Sequence, residues 1–276
     1  MLVVVPGSKD WRFLQEMLRR EAGIVLDEEK KYLVETRLAA LARAESTCVE
    51  DLFARAKRND VTARRKMIEA MTTNETSFFR DAAIFDAFVK EVVPYLLRNC
   101  GAGQIRVWCG AASTGQEPYS LAMALLSRYQ ADADRFRILA TDLDTQALDR
   151  ARCGEYSQLE VNRGLPASML VRFFERRGLR WQLKPHVRSM VEFRSMNLAR
   201  PFPGIGAQHW ILLRNVLIYF DAETKADILS RAAEVLAEQG LLVLGGTENM
   251  LNSTVPLQPV RFGRCLAYMS AANPRR

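Results

Sequence analysis

The sequence predicts an α/β protein: a mostly parallel, doubly wound sheet, an all-helical domain ahead of it and a small antiparallel insertion within it. Three observations predict this. Residues 1–75 carry helical periodicity and no strand pattern. From about residue 76 to 276, short apolar runs alternate with helical stretches, as they do when a parallel sheet is wound with helices. Between about 160 and 195 the chain turns basic, aromatic and turn-rich, as short antiparallel strands or hairpins would.

The elements follow in order. "WRFLQEMLRREAG" places Trp11, Leu14, Met17 and Leu18 on one helix face, and Gly23 ends it. "DEEKKYLVETRLAALARA" continues with Asp27 as N-cap and a long apolar stripe. "VEDLFARAKR" and "ARRKMIEAMT" read as two shorter helices. Their outer faces carry Arg12, Arg19, Arg20, Lys30, Lys31, Arg37 and Arg43, either a solvated face or a docking surface for an acidic partner. "AIFDAFVKEVVPYLL" is a helix that Pro94 bends or ends. "QIRVWCG" is a buried strand, followed by a loop and the helix "EPYSLAMALLSRY". "FRILATDLD" is a second strand leading into the helix "DTQALDRAR". "HWILLRNVLIYF" is a strand running into polar residues. In "DAETKADILSRAAEVLAEQG", Asp221 caps a helix, Ile228, Ala232, Val235 and Leu236 form its stripe, and Gly240 closes it. "LLVLGGTEN" is the next strand.

Composition narrows the function classes. Of 276 residues 49% are hydrophobic and 26% charged, enough for a full globular core. No run reaches the roughly 18 apolar residues of a membrane span, so direct membrane insertion is not expected. "MLVVVPGSKDW" is too short and too quickly polar for a signal peptide, so a cytoplasmic protein is expected. The five cysteines are scattered and odd in number, and only two histidines occur, which argues against a disulfide framework and a metal centre. The net charge of +7 suits nucleic acid, anionic lipid or an acidic protein surface without choosing among them.

Ligands of doubly wound sheets lie at the carboxyl ends of the strands, and four stretches here carry the chemistry. In "GAASTGQEP", Gly110 and Gly115 let the backbone approach a ligand, but no Lys-Ser/Thr follows, so the loop is not a P-loop. Glu117 stands where a phosphate would meet the helix start, and two anions would repel. Asp142, at the end of "ATD", suits a carboxylate accepting ribose hydroxyls, whereas Asp144 suits a helix cap. A positively charged nucleoside fits this pair, and S-adenosylmethionine has a ribose, an ammonium, a sulfonium and no phosphate. In "TTNETSFFRD", Asn74, Thr76 and Arg80 stand at the domain junction, either as a linker and helix start or as a lid over a ligand. In "LLRNVLIYFD", Arg214 and Asn215 follow an apolar strand directly, with Tyr219 on the same loop.

Together "TTNETSFFRD", "RVWCGAASTGQEPYSLAM", "ILATDLDTQALDRARCGEY", "RNVLIYF" and "LLVLGGTEN" resemble the CheR family of S-adenosylmethionine-dependent chemotaxis receptor methyltransferases, in order from about residue 15 to 268. The resemblance implies a Rossmann-like class I methyltransferase sheet with an inserted β-subdomain, behind an all-α N-terminal domain. It implies methyl transfer to glutamate γ-carboxylates on the cytoplasmic coiled coil of a chemoreceptor, with S-adenosylhomocysteine as product, by a monomer. Carried over by position, the cofactor contacts are Asn74, Thr76, Arg80, Glu117, Asp142, Asn197, Leu198, Arg214 and Asn215, while Arg80 and Tyr219 also face the methyl-accepting carboxylate. The family pattern has two acids where this chain has Gln116 and Glu117. Gln208, His209 and Leu213 also depart from it, in the strand before Arg214. In part of the family the β-subdomain docks a receptor tail peptide.

A glutamate side chain is ionised at neutral pH, so the reaction needs no general base, and the lack of a catalytic His or Cys is expected. Nucleic-acid amino-methylation is disfavoured, since no Pro-Pro occurs in the chain. A non-catalytic cofactor-binding or docking module that regulates a receptor signalling array is the remaining alternative.

Overall fold

A computed structural model describes residues 7–250 and 254–270. The chain forms two compact units: residues up to Thr73 with Tyr219–Thr224, and Asn74–Ile218 with the residues from Lys225 onward.

The first unit is helical: α1 (Ser8–Ala22), α2 (Lys31–Ala44), α3 (Val49–Lys57) and α4 (Val61–Met71). On α1 the buried residues are Trp11, Leu14, Met17, Leu18 and Ala22, the spacing of one helical face, and Gly23 ends the helix at φ 71°. Asp27 does not cap α2. A 3₁₀ turn at Glu28–Lys30 intervenes, and the Asp27 carboxylate pairs with Lys30 at 3.3 Å. Asp60 does cap α4, accepting from the amides of Thr62 and Ala63 at 2.9 and 3.0 Å.

Much of the basic face is matched within this unit. Arg19 pairs with Asp221 at 2.9 Å, Arg20 with Glu21 and Lys31 with Glu28. Arg37 donates to the carbonyl of Met71 at 2.8 Å and to Thr73 Oγ1 at 3.2 Å. Burial lowers the Arg37 guanidinium below its usual range, and Tyr219 opposes that shift. Arg12 and Arg43 remain exposed. The Tyr219 carbonyl accepts from the Val25 amide at 2.9 Å, and Phe220 forms an isolated antiparallel bridge with Ile24.

The second unit begins with an irregular stretch, then α5 (Ala82–Ala87) and α6 (Val93–Asn99). Between them Phe88–Val92 form a π-helical turn, so the three pieces run on as one helix. Pro94 neither ends nor breaks it; it falls in the first turn of α6, where the wider turn has already left its position without a donor requirement.

The remaining elements are β1 (Ile105–Gly110), α7 (Gln116–Arg128), β2 (Phe136–Asp142), α8 (Thr145–Cys153), β3 (Glu155–Ser157), α9 (Gln158–Asn162), α10 (Ala167–Phe173), β4 (Phe174–Arg177), β5 (Arg180–Leu183), α11 (Pro185–Arg188), β6 (Val191–Ser195), β7 (Gln208–Leu213), α12 (Ala222–Glu234), β8 (Leu236–Leu244), β9 (Leu257–Phe262) and β10 (Cys265–Ser270). Seven strands form one sheet in the order β6-β2-β1-β7-β8-β10-β9. The pairs from β6 to β8 are parallel, and β10 runs antiparallel to both neighbours. Numbered within this sheet alone, the order is 3-2-1-4-5-7-6. It is Rossmann-like and doubly wound, with its switch point between β1 and β7. The central strands are nearly all buried, with Trp108, Cys109, Ile138, Ala140, Ile211 and Val243 inaccessible or almost so.

A separate antiparallel sheet, β3-β5-β4, makes the insertion. The stretch read as insertion from its composition also contains β6, which pairs with β2 in the main sheet. Only Val191 of β6 is buried and Phe193 half-buried, with Glu192, Arg194 and Ser195 exposed, because β6 is an edge strand, and such a half-covered strand imitates a hairpin strand. At the other end of the sheet, α12 stops at Glu234, and Leu236 already belongs to β8. Gly240 therefore lies inside a strand rather than closing the helix. A Cβ there would meet the carbonyls of Ala237 and Gln208 at 2.8 and 3.1 Å, next to the irregularity in β7–β8 pairing.

Candidate active site

The loops at the carboxyl ends of β1, β2, β6, β7 and β8 lie along one edge of the sheet, and Glu117, Asp142, Asn197, Arg214 and Asn215 lie on or beside them, with Asn74 joined through Asp144. After β1 the chain makes a tight loop with Ala111, Ser113 and Gly115 all at positive φ. Gly110 is required by packing, since a Cβ there would strike the side chain of Leu213 and meet Leu198 at 3.4 Å. Gln116, which replaces the expected acid, is buried and accepts from Thr114 Oγ1 at 2.8 Å, so it serves the loop itself.

Asp142 holds this loop. One carboxylate oxygen accepts from the Ser113 amide at 2.7 Å and the other from the Asp144 amide at 2.9 Å. Its carbonyl accepts from the Met196 amide at 2.8 Å, which ties the end of β2 to the residues after β6. Burial pushes the Asp142 carboxyl up to about 6, against the amides that favour its ionised form. Asp144 caps α8 through the amides of Gln146 and Ala147 and accepts from Asn74 Nδ2 at 2.6 Å. Asn197 turns its own Oδ1 to the Ala199 amide at 2.9 Å, and Leu198 is buried against Gly110.

A second group centres on Arg214, whose side chain is 1% exposed. It pairs with Glu117, and donates to Asp81 at 2.6 Å and to the Arg80 carbonyl at 3.0 Å. Burial alone would lower the guanidinium, but the Glu117 and Asp81 carboxylates outweigh it and hold Arg214 above its usual value. Arg214 is thus an internal clamp that fastens the Arg80 turn to the first turn of α7. Phe79 and Asp81, on either side of Arg80, both take positive φ, at 49° and 63°. The Phe79 amide donates to Ser120 Oγ at 2.9 Å, which fixes the same turn from α7.

Phe78, fully buried, anchors the stretch from below through edge-to-face contacts with Tyr156 and Phe174 at 4.9 and 5.7 Å. Arg80 spends one nitrogen on the Glu75 carbonyl at 3.0 Å. Among the described residues its other nitrogens, and Glu117 Oε1, meet no partner.

Two groups at this edge were not singled out from the sequence. Ser120 looked like an ordinary small residue on a helix. Glu248 accepts from the amides of Asn215, Leu217 and Gly245, each at 2.7 Å, and sits in a loop whose length alone carries no signal. Tyr219 groups with the helical unit.

The groups named at this edge are carboxylates, hydroxyls, side-chain amides and the guanidiniums of Arg80 and Arg214, the latter already held by Glu117 and Asp81. Ser113 Oγ is buried without a partner in the same loop. This donor set fits a ribose and a cationic centre better than a polyphosphate. Among the described residues no group of His, Cys, Asp or Glu could hold a metal ion, and no helix is long and apolar enough to cross a membrane.

Comparison with known proteins identifies the family. Residues 74–263 match the family model described as "CheR methyltransferase, SAM binding domain", and residues 9–72 match "CheR methyltransferase, all-alpha domain". The chain is 39% identical over 252 residues to "Chemotaxis protein methyltransferase 1" of Pseudomonas aeruginosa, covering 89% of this chain and 92% of that protein. It is 38% identical over 251 residues to "Chemotaxis protein methyltransferase Cher2" of Pseudomonas putida, covering 88% and 90%. It is 34% identical over 278 residues to "Chemotaxis protein methyltransferase" of Vibrio anguillarum, covering 97% and 99%. Both family models, matched in order over most of the chain, and these relatives place this chain in the CheR family of S-adenosylmethionine-dependent methyltransferases.

Proposed function

We propose that this chain methylates glutamate γ-carboxylates on the cytoplasmic helical region of chemoreceptors, giving methyl esters that adapt the sensory response. The names of its relatives support a role in chemotaxis. The observation that carries the reading is the clamp at Arg214, which joins the Arg80 turn, Asp81 and Glu117 at the ends of β1 and β7.

When bound, S-adenosylmethionine supplies a methyl carbon on a positively charged sulfur that departs as a neutral thioether. The residues of the chain have separate tasks around that exchange. Asp142 accepts ribose hydroxyls on the lone pairs that its amide donors leave free. Glu117 offers Oε1 to a ribose hydroxyl or to the ammonium. Asn74, Thr76, Asn197, Leu198 and Asn215 line the remainder of the cofactor site.

Arg80, with nitrogens to spare, orients the incoming glutamate carboxylate. The carboxylate arrives ionised, so no side chain takes a proton. Rate comes from alignment, which is worth up to about 7–11 kcal/mol in favourable cases. Arg80 must not hold the nucleophile too tightly, since a close ion pair lowers its reactivity. The enzyme works as a cytoplasmic monomer, and its macromolecular partner is the receptor coiled coil, not nucleic acid.

Calorimetry with S-adenosylmethionine and S-adenosylhomocysteine is the first test, on the wild type and Asp142→Ala. Binding that collapses in the variant supports the site. Transfer of tritiated methyl from the cofactor to a chemoreceptor, in base-labile form, then supports the ester. Cofactor binding without any transfer to receptor turns the reading towards a regulatory module.

A further inference from the structure

The carboxylate of Glu248 gathers three backbone amides. Oε2 accepts from Asn215 and Gly245 and Oε1 from Leu217, each at 2.7 Å. These amides belong to the loops that leave β7 and β8, two neighbouring parallel strands in register at Leu213 and Leu244. The Glu248 amide donates back to the Gly245 carbonyl at 2.9 Å and closes a tight turn. Asn215 sits at φ 57°, in the left-handed region that Asn enters more readily than most non-glycine residues. Gly245 leaves the room this needs. A Cβ there would lie 2.5 Å from Glu248 Oε2, 2.8 Å from the Asn215 amide nitrogen and 2.9 Å from Asn215 Nδ2.

Three convergent N–H donors require an acceptor on both sides of the group. A carboxylate offers only lone pairs, whereas a glutamine of the same shape turns an NH₂ towards at least one of the amides. The requirement is therefore for Glu and its charge, and charge-assisted bonds of this kind are about twice as strong as neutral ones.

We propose that Glu248 is a positioning residue for methyl transfer: it fixes the loop that carries Arg214 and Asn215 in its cofactor-binding shape. The proposal rests on the reading that this edge binds S-adenosylmethionine. Glu248 acts through the backbone and touches neither cofactor nor substrate.

The test compares the full-length wild type with Glu248→Gln and Gly245→Ala. The second variant keeps the carboxylate and all three donors but drives them apart. The readouts are the dissociation constant for S-adenosylhomocysteine by calorimetry, the thermal midpoint, and KM and kcat for methyl transfer to receptor. Both variants should bind S-adenosylhomocysteine at least about tenfold more weakly while still folded, as expected from losing one or two charge-assisted bonds. A role in stability alone would lower the midpoint and leave the affinity of the folded variant untouched; affinity within twofold of wild type overturns the proposal.

If neither variant folds, hydrogen exchange in the wild type decides. S-adenosylhomocysteine must slow exchange at the Asn215, Leu217 and Gly245 amides, and unchanged rates there reject the idea. A wild type that binds no S-adenosylhomocysteine removes the cofactor reading itself, which is a different failure.

Discussion

Asp142 is the residue whose chemistry most directly predicts a pH effect. Its carboxyl is raised from 3.8 to about 6, first by burial, with Asp144 adding repulsion and the amides of Asp144 and Ser113 working the other way. The folded chain therefore holds this proton more tightly than the unfolded chain. Above pH 6 the ionised group burdens the fold; as pH falls from 6 towards 3.8 that burden is relieved. A shift of this size corresponds to about 3 kcal/mol. Without cofactor, the unfolding free energy of the wild type relative to Asp142→Asn should move in favour of the wild type by up to that amount between pH 7 and pH 4. Denaturant titrations along the pH axis measure it. Cofactor binding should run the opposite way. In the proposed site ribose hydroxyls donate to the ionised carboxylate, so affinity for S-adenosylhomocysteine should fall as pH drops through about 6, and Asp142→Asn should flatten that profile. Flat affinity in the wild type between pH 5 and 7 would remove Asp142 from the cofactor site. Arg214 shows the other way a buried charge survives, since two carboxylates and a carbonyl answer its two terminal nitrogens, while its Nε is buried without a partner among the described residues.

At the scale of elements, the irregular stretch before α5 is held by polar contacts to Asp144, Ser120 and Arg214 and by one fully buried aromatic anchor, Phe78. It is fully buried between Tyr156 and Phe174, and its carbonyl is so close to Gly164 that a Cβ could not fit there. Phe78→Ala should cost about 3–5 kcal/mol of stability. It should also weaken S-adenosylhomocysteine binding, because the positive-φ turn around Arg80 loses its foundation; thermal unfolding and calorimetry on one preparation test both. A variant with wild-type affinity would show that the turn stands without it. The elements that carry strong periodicity were legible in the sequence: α1 with its stripe and Gly23, β1 and β2 as continuous apolar runs, α7 and α8 behind them. What hid was set by tertiary pairing. β6 imitates a hairpin strand because only one of its faces is covered. The end of α12 was misplaced because Val235 and Leu236 continue the helical spacing, while Leu236 pairs across to Gln208. The π turn before Pro94 has no signal in composition. The polar residues nearest the glycine loop were legible as chemistry, but their partners were not. Nothing in "LGGTEN" says that Glu248 turns to three amides, and nothing in "EPYSLAM" says that Ser120 receives the amide of Phe79.

The charge of the whole molecule, +7, leads to the last prediction. Arginines on the helical unit suggested an acidic partner, yet Arg19 and Arg37 are engaged by Asp221, by the Met71 carbonyl and by Thr73. Reversing either would damage the unit and confuse docking with folding. Arg43 is a better probe: it is exposed, stands in the last turn of α2 and has no ion-pair partner among the described residues. If the receptor surface is acidic, the excess positive charge steers the encounter, and such steering fades once the screening length shrinks to about 3 Å at 1 M salt. Arg43→Glu should therefore raise the receptor KM several-fold in low salt, and the gap from wild type should close as salt rises. Affinity for S-adenosylhomocysteine should stay the same, because Arg43 belongs to the helical unit and the proposed cofactor contacts to the sheet unit. Loss at the helix terminus, where a negative charge opposes the dipole, is worth only about 0.3–1 kcal/mol and would appear in the thermal midpoint, not in the salt dependence of KM. A receptor KM that rises with salt in the wild type but is unmoved by Arg43→Glu would assign the attraction to other basic residues. A KM insensitive to salt in both would mean that the net charge has no part in finding the receptor.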